Sequence, residues 1–98
     1  MSKPHTIEEI KSKVGAAARK YGIEKAYLYG SYARGEAAYK SDIDICIEKG
    51  KLRTLLELSG LCLDLEETLE NKVDIVTTTA LSSEFRERIE KDMILIYG

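Results

Sequence analysis

From Asp42 to Glu48 the chain reads Asp-Ile-Asp-Ile-Cys-Ile-Glu, with isoleucine at every second position against carboxylate or cysteine. Side chains of a strand alternate between its two faces, so this run predicts a strand with Ile43, Ile45 and Ile47 on a core. The same alternation puts Asp42, Asp44 and Glu48 together on the opposite face. A second β-branched run, Lys72 to Thr77, carries one acidic residue, Asp74, inside Val73-Asp74-Ile75-Val76. Two such strands need apolar cover on one side, and the intervening chain supplies it. Leu55, Leu58, Cys62, Leu65 and Leu69 recur at helical spacing between Leu52 and Glu70.

The rest of the chain fits the same scheme. Thr6 followed by Glu9 forms a capping box, and Ile7, Ile10, Val14, Ala17 and Tyr21 mark an amphipathic helix closed by Gly22. Lys25 to Tyr29 reads as a strand running into Gly30, and Ser31 to Gly35 as a turn or the start of a short helix. Glu36 to Lys40 reads as an exposed loop. Ser82 or Ser83 caps a third helix with Phe85, Ile89 and Met93 inward, and Ile94 to Tyr97 is a short final strand or edge tail. The order predicts an α+β fold, a small mixed β-sheet with helices packed on one side. Ninety-eight residues suit one domain spanning 1–98.

Composition narrows the function classes. Net charge is −2, from 15 basic and 17 acidic residues, so the chain has no global pull on nucleic acid and direct polynucleotide binding is disfavoured. No apolar run approaches a membrane span, and the polar N-terminus argues against a secretory signal. Cys46 and Cys62 lack metal-like spacing and read as buried thiols of a reducing cytoplasm. There is no glutamine and a single asparagine, Asn71, an amide-poor and charge-rich usage like that of heat-adapted proteins.

The chemistry concentrates at three places. Gly30-Ser31, closing a strand, can bring backbone N–H groups and a hydroxyl against a phosphate. Asp42 and Asp44 share a face, and Asp74 on a neighbouring strand would complete an oxygen-rich site for Mg²⁺. Phosphates and carboxylates repel, so the combination implies metal between them, as in two-metal nucleotidyl transfer. Arg34 has two readings, a structural ion pair or neutralisation of a triphosphate or of a partner's acidic face. Glu36 reads as a loop charge, Ser41 as a cap for the Asp42 strand, and His5 as disordered. Tyr32 and Tyr39 are the tyrosines placed to stack on a base.

Gly30-Ser31-Tyr-Ala-Arg34-Gly35-Glu36, followed by Ser41-Asp42-Ile-Asp44, resembles the signature of the minimal nucleotidyltransferases of the DNA polymerase β-like superfamily. The Ala-Arg-Gly insertion and Ser-Asp-Ile-Asp ending resemble its antitoxin branch, encoded beside a helical HEPN-type ribonuclease toxin. The resemblance covers nearly the whole chain and implies a polymerase β palm-like fold. It further implies that Gly30 and Ser31 hold the triphosphate of ATP and that Asp42 and Asp44 ligate Mg²⁺. Asp74 would ligate the catalytic ion and help activate the acceptor hydroxyl. No second, acceptor-binding domain is visible, so the acceptor surface is expected from another molecule. The implied acceptor is a tyrosine of the toxin, silenced by AMP. The alternatives are an antitoxin that only occludes its toxin, and transfer to RNA or a small molecule.

Overall fold

The computed structural model describes residues 4–98. Helix α1 (Ile7–Tyr21) starts at the expected capping box, with Thr6 N–H donating to Glu9 Oε1 at 3.0 Å and Glu9 N–H to Thr6 Oγ1 at 3.1 Å. It ends at Gly22, whose φ of 71° lies in the left-handed region that glycine adopts without a Cβ penalty. Strand β1 (Lys25–Tyr29) leads into a single helical turn, α2 (Gly30–Ala33), then β2 (Ile43–Glu48). Helix α3 (Leu55–Leu69), strand β3 (Val73–Thr77), a 3₁₀ turn at Thr78–Ala80, helix α4 (Ser83–Glu90) and strand β4 (Ile94–Tyr97) complete the chain.

The strands form one sheet in the order β3-β2-β1-β4. β1 is antiparallel to both β2 and β4, whereas β2 and β3 are parallel. A parallel pair needs a crossover, and α3 is that crossover. It delivers Asp74 directly beside Asp44 in the β2–β3 register.

One face of the sheet carries the main core. Ile43, Ile45, Ile47, Ala26 and Leu28 pack there with Ile10, Val14 and Ala18 of α1 and Leu61, Leu65 and Leu69 of α3. The expected one-sided packing therefore holds for the two long helices. It does not hold for α4, which lies on the opposite face. Ile89 and Phe85 pack there with Tyr29, Cys46 and Val76 in a smaller cluster. Burying an apolar stripe needs an apolar partner, and Tyr29 and Cys46 supply one on the sheet face that also carries Asp44 and Glu48.

Helix α3 starts later than its leucine spacing suggests. Thr54 caps it, so Leu52 is a buried loop residue and Leu55 is 81% exposed. Leu61, absent from the expected stripe, is 1% exposed at the centre of the core. The register makes a prediction. Leu61→Ala should cost about 3 kcal/mol in denaturant unfolding, within the range for leucine truncation in a tight core. Leu55→Ala should stay within about 0.5 kcal/mol, as surface changes do.

Candidate active site

The site begins where β1 ends. Gly30 has φ 75°, and a Cβ built on it would collide with Oδ2 of Asp44. Two constraints therefore demand glycine here, a left-handed backbone and the close approach of a carboxylate from β2. Ser31 follows in the first turn of α2 and is half-buried. The first N–H groups of a helix have no acceptor inside it, so this turn presents donors beside the Asp44 carboxylate.

Asp44 faces Tyr29 across the β1–β2 ladder and Asp74 across the β2–β3 ladder. Asp44 and Asp74 thus stand side by side on β2 and β3, with the Gly30 turn just past β1 against the Asp44 carboxylate. Asp42 stands two residues before Asp44, just ahead of β2, on the same face. Asp44 is half-buried, and its carboxyl is pushed above the usual carboxylate range by burial, then by the charges of Asp74 and Asp42; Arg34 opposes this. Tyr29 feels the same field. Burial, reinforced by Asp44, Cys46 and Asp74, pushes its phenol up to about 12.

Asp74 is exposed, although its strand neighbours are apolar, because its side chain leaves the sheet on the face that α4 only partly covers. Among the described residues, no three carboxylate, histidine or cysteine side chains are gathered closely enough to enclose an ion. The donor set, three carboxylates on one face, matches the hard oxygen ligands that Mg²⁺ takes. Asp44 also shows the repulsion that a cation would relieve.

Arg34 donates from Nε to Glu36 Oε1 at 2.9 Å and from Nη1 to Asp92 Oδ2 at 3.2 Å. Glu36 is thus a partner of Arg34 rather than a free loop charge. The structural ion pair is present, with loop carboxylates rather than with the aspartate row. Arg34 nevertheless lies close enough to Asp44 to lower its proton affinity.

The expectations for the tyrosines, His5 and Ser41 meet the geometry in different ways. Tyr32 is 4% exposed within the main core, so its ring is not free to stack on a base. Tyr39 is 55% exposed, with Lys40 Nζ 5.5 Å from its ring centroid. His5 is held in place, its N–H donating to the Tyr32 hydroxyl at 3.3 Å, because the chain entering α1 crosses that residue. The Ser41 side chain does not cap the Asp42 strand; its Oγ accepts from Ala38 N–H at 2.8 Å and closes the preceding turn. Cys46 and Cys62 are both free thiols. No helix among the described residues is long and apolar enough to cross a membrane.

Asn71 is the residue the sequence reading missed. Its Nδ2 donates to the Ser41 carbonyl at 2.9 Å, and its Oδ1 accepts from Lys72 N–H at 2.9 Å. The start of β3 is thereby tied to the residue preceding Asp42. A signal was available, since this is the one carboxamide in the chain. Asn71→Ala should leave the fold in place at a cost of about 1–2 kcal/mol, measured by chemical denaturation, because it unpairs the part-buried Ser41 carbonyl and the exposed Lys72 N–H.

The raised Asp44 carboxyl sets a pH dependence. Its folded-state value lies above its unfolded value of about 3.9. Its favourable contribution is therefore complete below the unfolded value and lost as pH rises through the folded one. Asp44→Asn should melt higher than the parent at pH 7, by a few degrees at about 4–8 °C per kcal/mol. That advantage should vanish under acid conditions. A lower melting temperature at pH 7 would contradict the repulsion.

Comparison with known proteins follows the same lines. A family model described as polymerase beta, nucleotidyltransferase, matches residues 9–98. A Methanocaldococcus jannaschii protein provisionally named a protein adenylyltransferase, MJ0435, is 39% identical over 88 residues, covering 90% of this chain and 95% of that protein. Protein adenylyltransferase MntA of Thermococcus cleftensis is 30% identical over 95 residues, covering 93% of this chain and 96% of its own. A solved complex of a tri-AMPylated Shewanella oneidensis HEPN toxin with its MNT antitoxin matches with TM-score 0.74 and 20% identity. The match covers 95% of this chain and 73% of that one, a likeness of fold.

Proposed function

The chain belongs to the polymerase beta nucleotidyltransferase family, and on that premise we propose that it transfers AMP from ATP to a hydroxyl of a partner protein. The observation that carries this reading is the pairing of Asp44 with Asp74 on neighbouring strands, with the Gly30 turn at the end of β1 pressed against the Asp44 carboxylate. The names of the relatives support a protein acceptor. The fold-level match to a complex of an AMPylated HEPN toxin with its antitoxin supports a HEPN-type toxin as that acceptor, with this chain as the antitoxin; a tyrosine as the modified residue rests on the sequence resemblance alone.

Each residue has a part. The Gly30 turn and the Ser31 hydroxyl receive the triphosphate, with the N–H groups of α2 as donors. Asp42, Asp44 and Asp74 would hold Mg²⁺, whose chemistry is to offset the charge gathering on the α-phosphate and departing pyrophosphate. The new bond joins the acceptor oxygen to the α-phosphorus, and the bond broken is that to the bridging oxygen of pyrophosphate. Asp74, exposed at the outer strand, is open to an incoming hydroxyl and helps activate it by accepting the proton that the hydroxyl loses as its oxygen attacks. Arg34 turns its guanidinium from Glu36 and Asp92 toward the phosphates.

The decisive experiment is intact mass spectrometry of the cognate toxin after incubation with this protein, ATP and Mg²⁺. The expected result is a gain of one or more AMP units. If the toxin is neutralised without any mass change, the protein acts by occlusion.

A further inference from the structure

β3 is an edge strand of the sheet, and its outer edge is only half closed. Ile43 N–H donates to the Lys72 carbonyl, which fixes the parity of the parallel ladder. Lys72, Asp74 and Val76 then bond to β2, and Val73, Ile75 and Thr77 turn their backbone groups outward. Helix α3 closes the first of these. Val73 N–H donates to Glu66 Oε2 at 3.2 Å, and its carbonyl accepts from Cys62 Sγ at 3.3 Å. Because α3 runs antiparallel to β3, Ile75 and Thr77 face the earlier turns of the helix, where Leu58 and Leu55 stand instead. Leucine cannot bond a backbone. Among the described residues no side chain and no turn or loop backbone group bonds the outward N–H and carbonyl of Ile75 or the N–H of Thr77, a residue that is itself 8% exposed.

Beside this open edge lies an apolar cavity of about 340 Å³. Both Ile75 and Val76 line it, and their side chains leave the sheet on opposite faces. The cavity therefore wraps around the edge of β3 rather than sitting on either face. Leu55 lines it and is 81% exposed, and Leu56 next to it is 82% exposed. Lys49 and Arg53 are on its rim, with Lys51 between them in sequence. All three are exposed, and none makes an ion pair among the described residues.

We propose that this edge is a docking site for an extended segment of a partner protein, added to the sheet as a fifth strand beside β3. Unpaired backbone groups select an extended chain over a helix, since only a strand presents its own N–H and carbonyl groups sideways. The cavity takes an apolar side chain from that segment, and the Lys49–Arg53 rim selects a flanking carboxylate. A second copy of this chain is disfavoured, because pairing β3 with itself would set the two basic rims and the two Asp74 carboxylates near one another. The proposed protein acceptor supplies the owner of the segment, and only in that respect does the inference rest on the function above.

Docking can be read without transfer, so the two ideas fail separately. The probe is a short capped peptide with a Val-Ile-Val centre flanked on both sides by aspartate. A lysine-flanked version and a helical leucine-rich peptide of the same charge serve as comparisons. At saturation the aspartate peptide should slow amide exchange at Ile75 and Thr77 by about tenfold or more. It should bind about tenfold tighter than the lysine version, roughly 1.4 kcal/mol. Leu55→Glu should weaken binding about tenfold while leaving the melting temperature unchanged, since the residue is exposed. Unslowed exchange at these two amides overturns the proposal, as does equal binding of the lysine version or preference for the helical peptide. Protection already present in the peptide-free protein together with dimer formation would assign the edge to a second copy and overturn it too.

Discussion

Replacing Asp42 and Asp44 together by asparagine should abolish AMP transfer while making the protein more resistant to heat. The two effects share one cause. Asp44 sits half-buried beside Asp74, with its carboxyl raised by burial and by like charge, so its ionised form is costly in the folded state. Asparagine removes that cost and keeps the side-chain shape. It also removes the anionic oxygens that would hold Mg²⁺, which neutral amides replace poorly. Transfer should fall roughly a thousandfold, about 4 kcal/mol of transition-state stabilisation. Stabilisation by ATP with Mg²⁺ in a melting experiment should disappear in the same variant. Undiminished transfer would remove these carboxylates from the chemistry, and a large loss of thermal stability would mean that the row is structural.

Gly30→Ala is the second large effect, and it separates two reasons for a glycine. Its φ of 75° is costly for any residue with a Cβ, and that Cβ would meet the Asp44 carboxylate. The expected stability cost is about 1–3 kcal/mol, the scale of a residue held in a sparsely populated conformation. Transfer should fall further than folding, by about a hundredfold, because pushing Asp44 aside misplaces both the phosphate turn and the acidic row. The check is steady-state transfer measured below the variant's melting temperature. A variant that loses stability but transfers at the parent rate would make Gly30 a turn residue only. Gly35, which has φ 74° but no neighbour within 4 Å of a built Cβ, is the internal control. Gly35→Ala should pay the backbone cost and keep the activity.

Much of this was written in local patterns. The capping box at Thr6 and Glu9, the alternation from Asp42 to Glu48 and the β-branched run around Asp74 are short-range signals. They reflect helix capping and the two-residue period of a strand, which any fold must respect. The shared face of Asp42 and Asp44 follows from that period alone. Gly30 was legible as a strand end followed by a turn.

What only the tertiary structure decided was which elements meet. Strand order and the parallel β2–β3 pairing place Asp74 opposite Asp44, and periodicity says nothing about register between strands. The inward face of α3 was misjudged because leucines surround much of the helix, so spacing could not choose between Leu55 and Leu61. The side taken by α4 depended on apolar cover from Tyr29 and Cys46 on the same sheet face as the aspartates. Asn71 acquired its role only when folding brought Ser41 to it across thirty positions of chain. Local sequence specifies the conformation of each segment, because those preferences act over a few residues. The site is built from contacts between segments, and their energies exist only once the sheet has assembled.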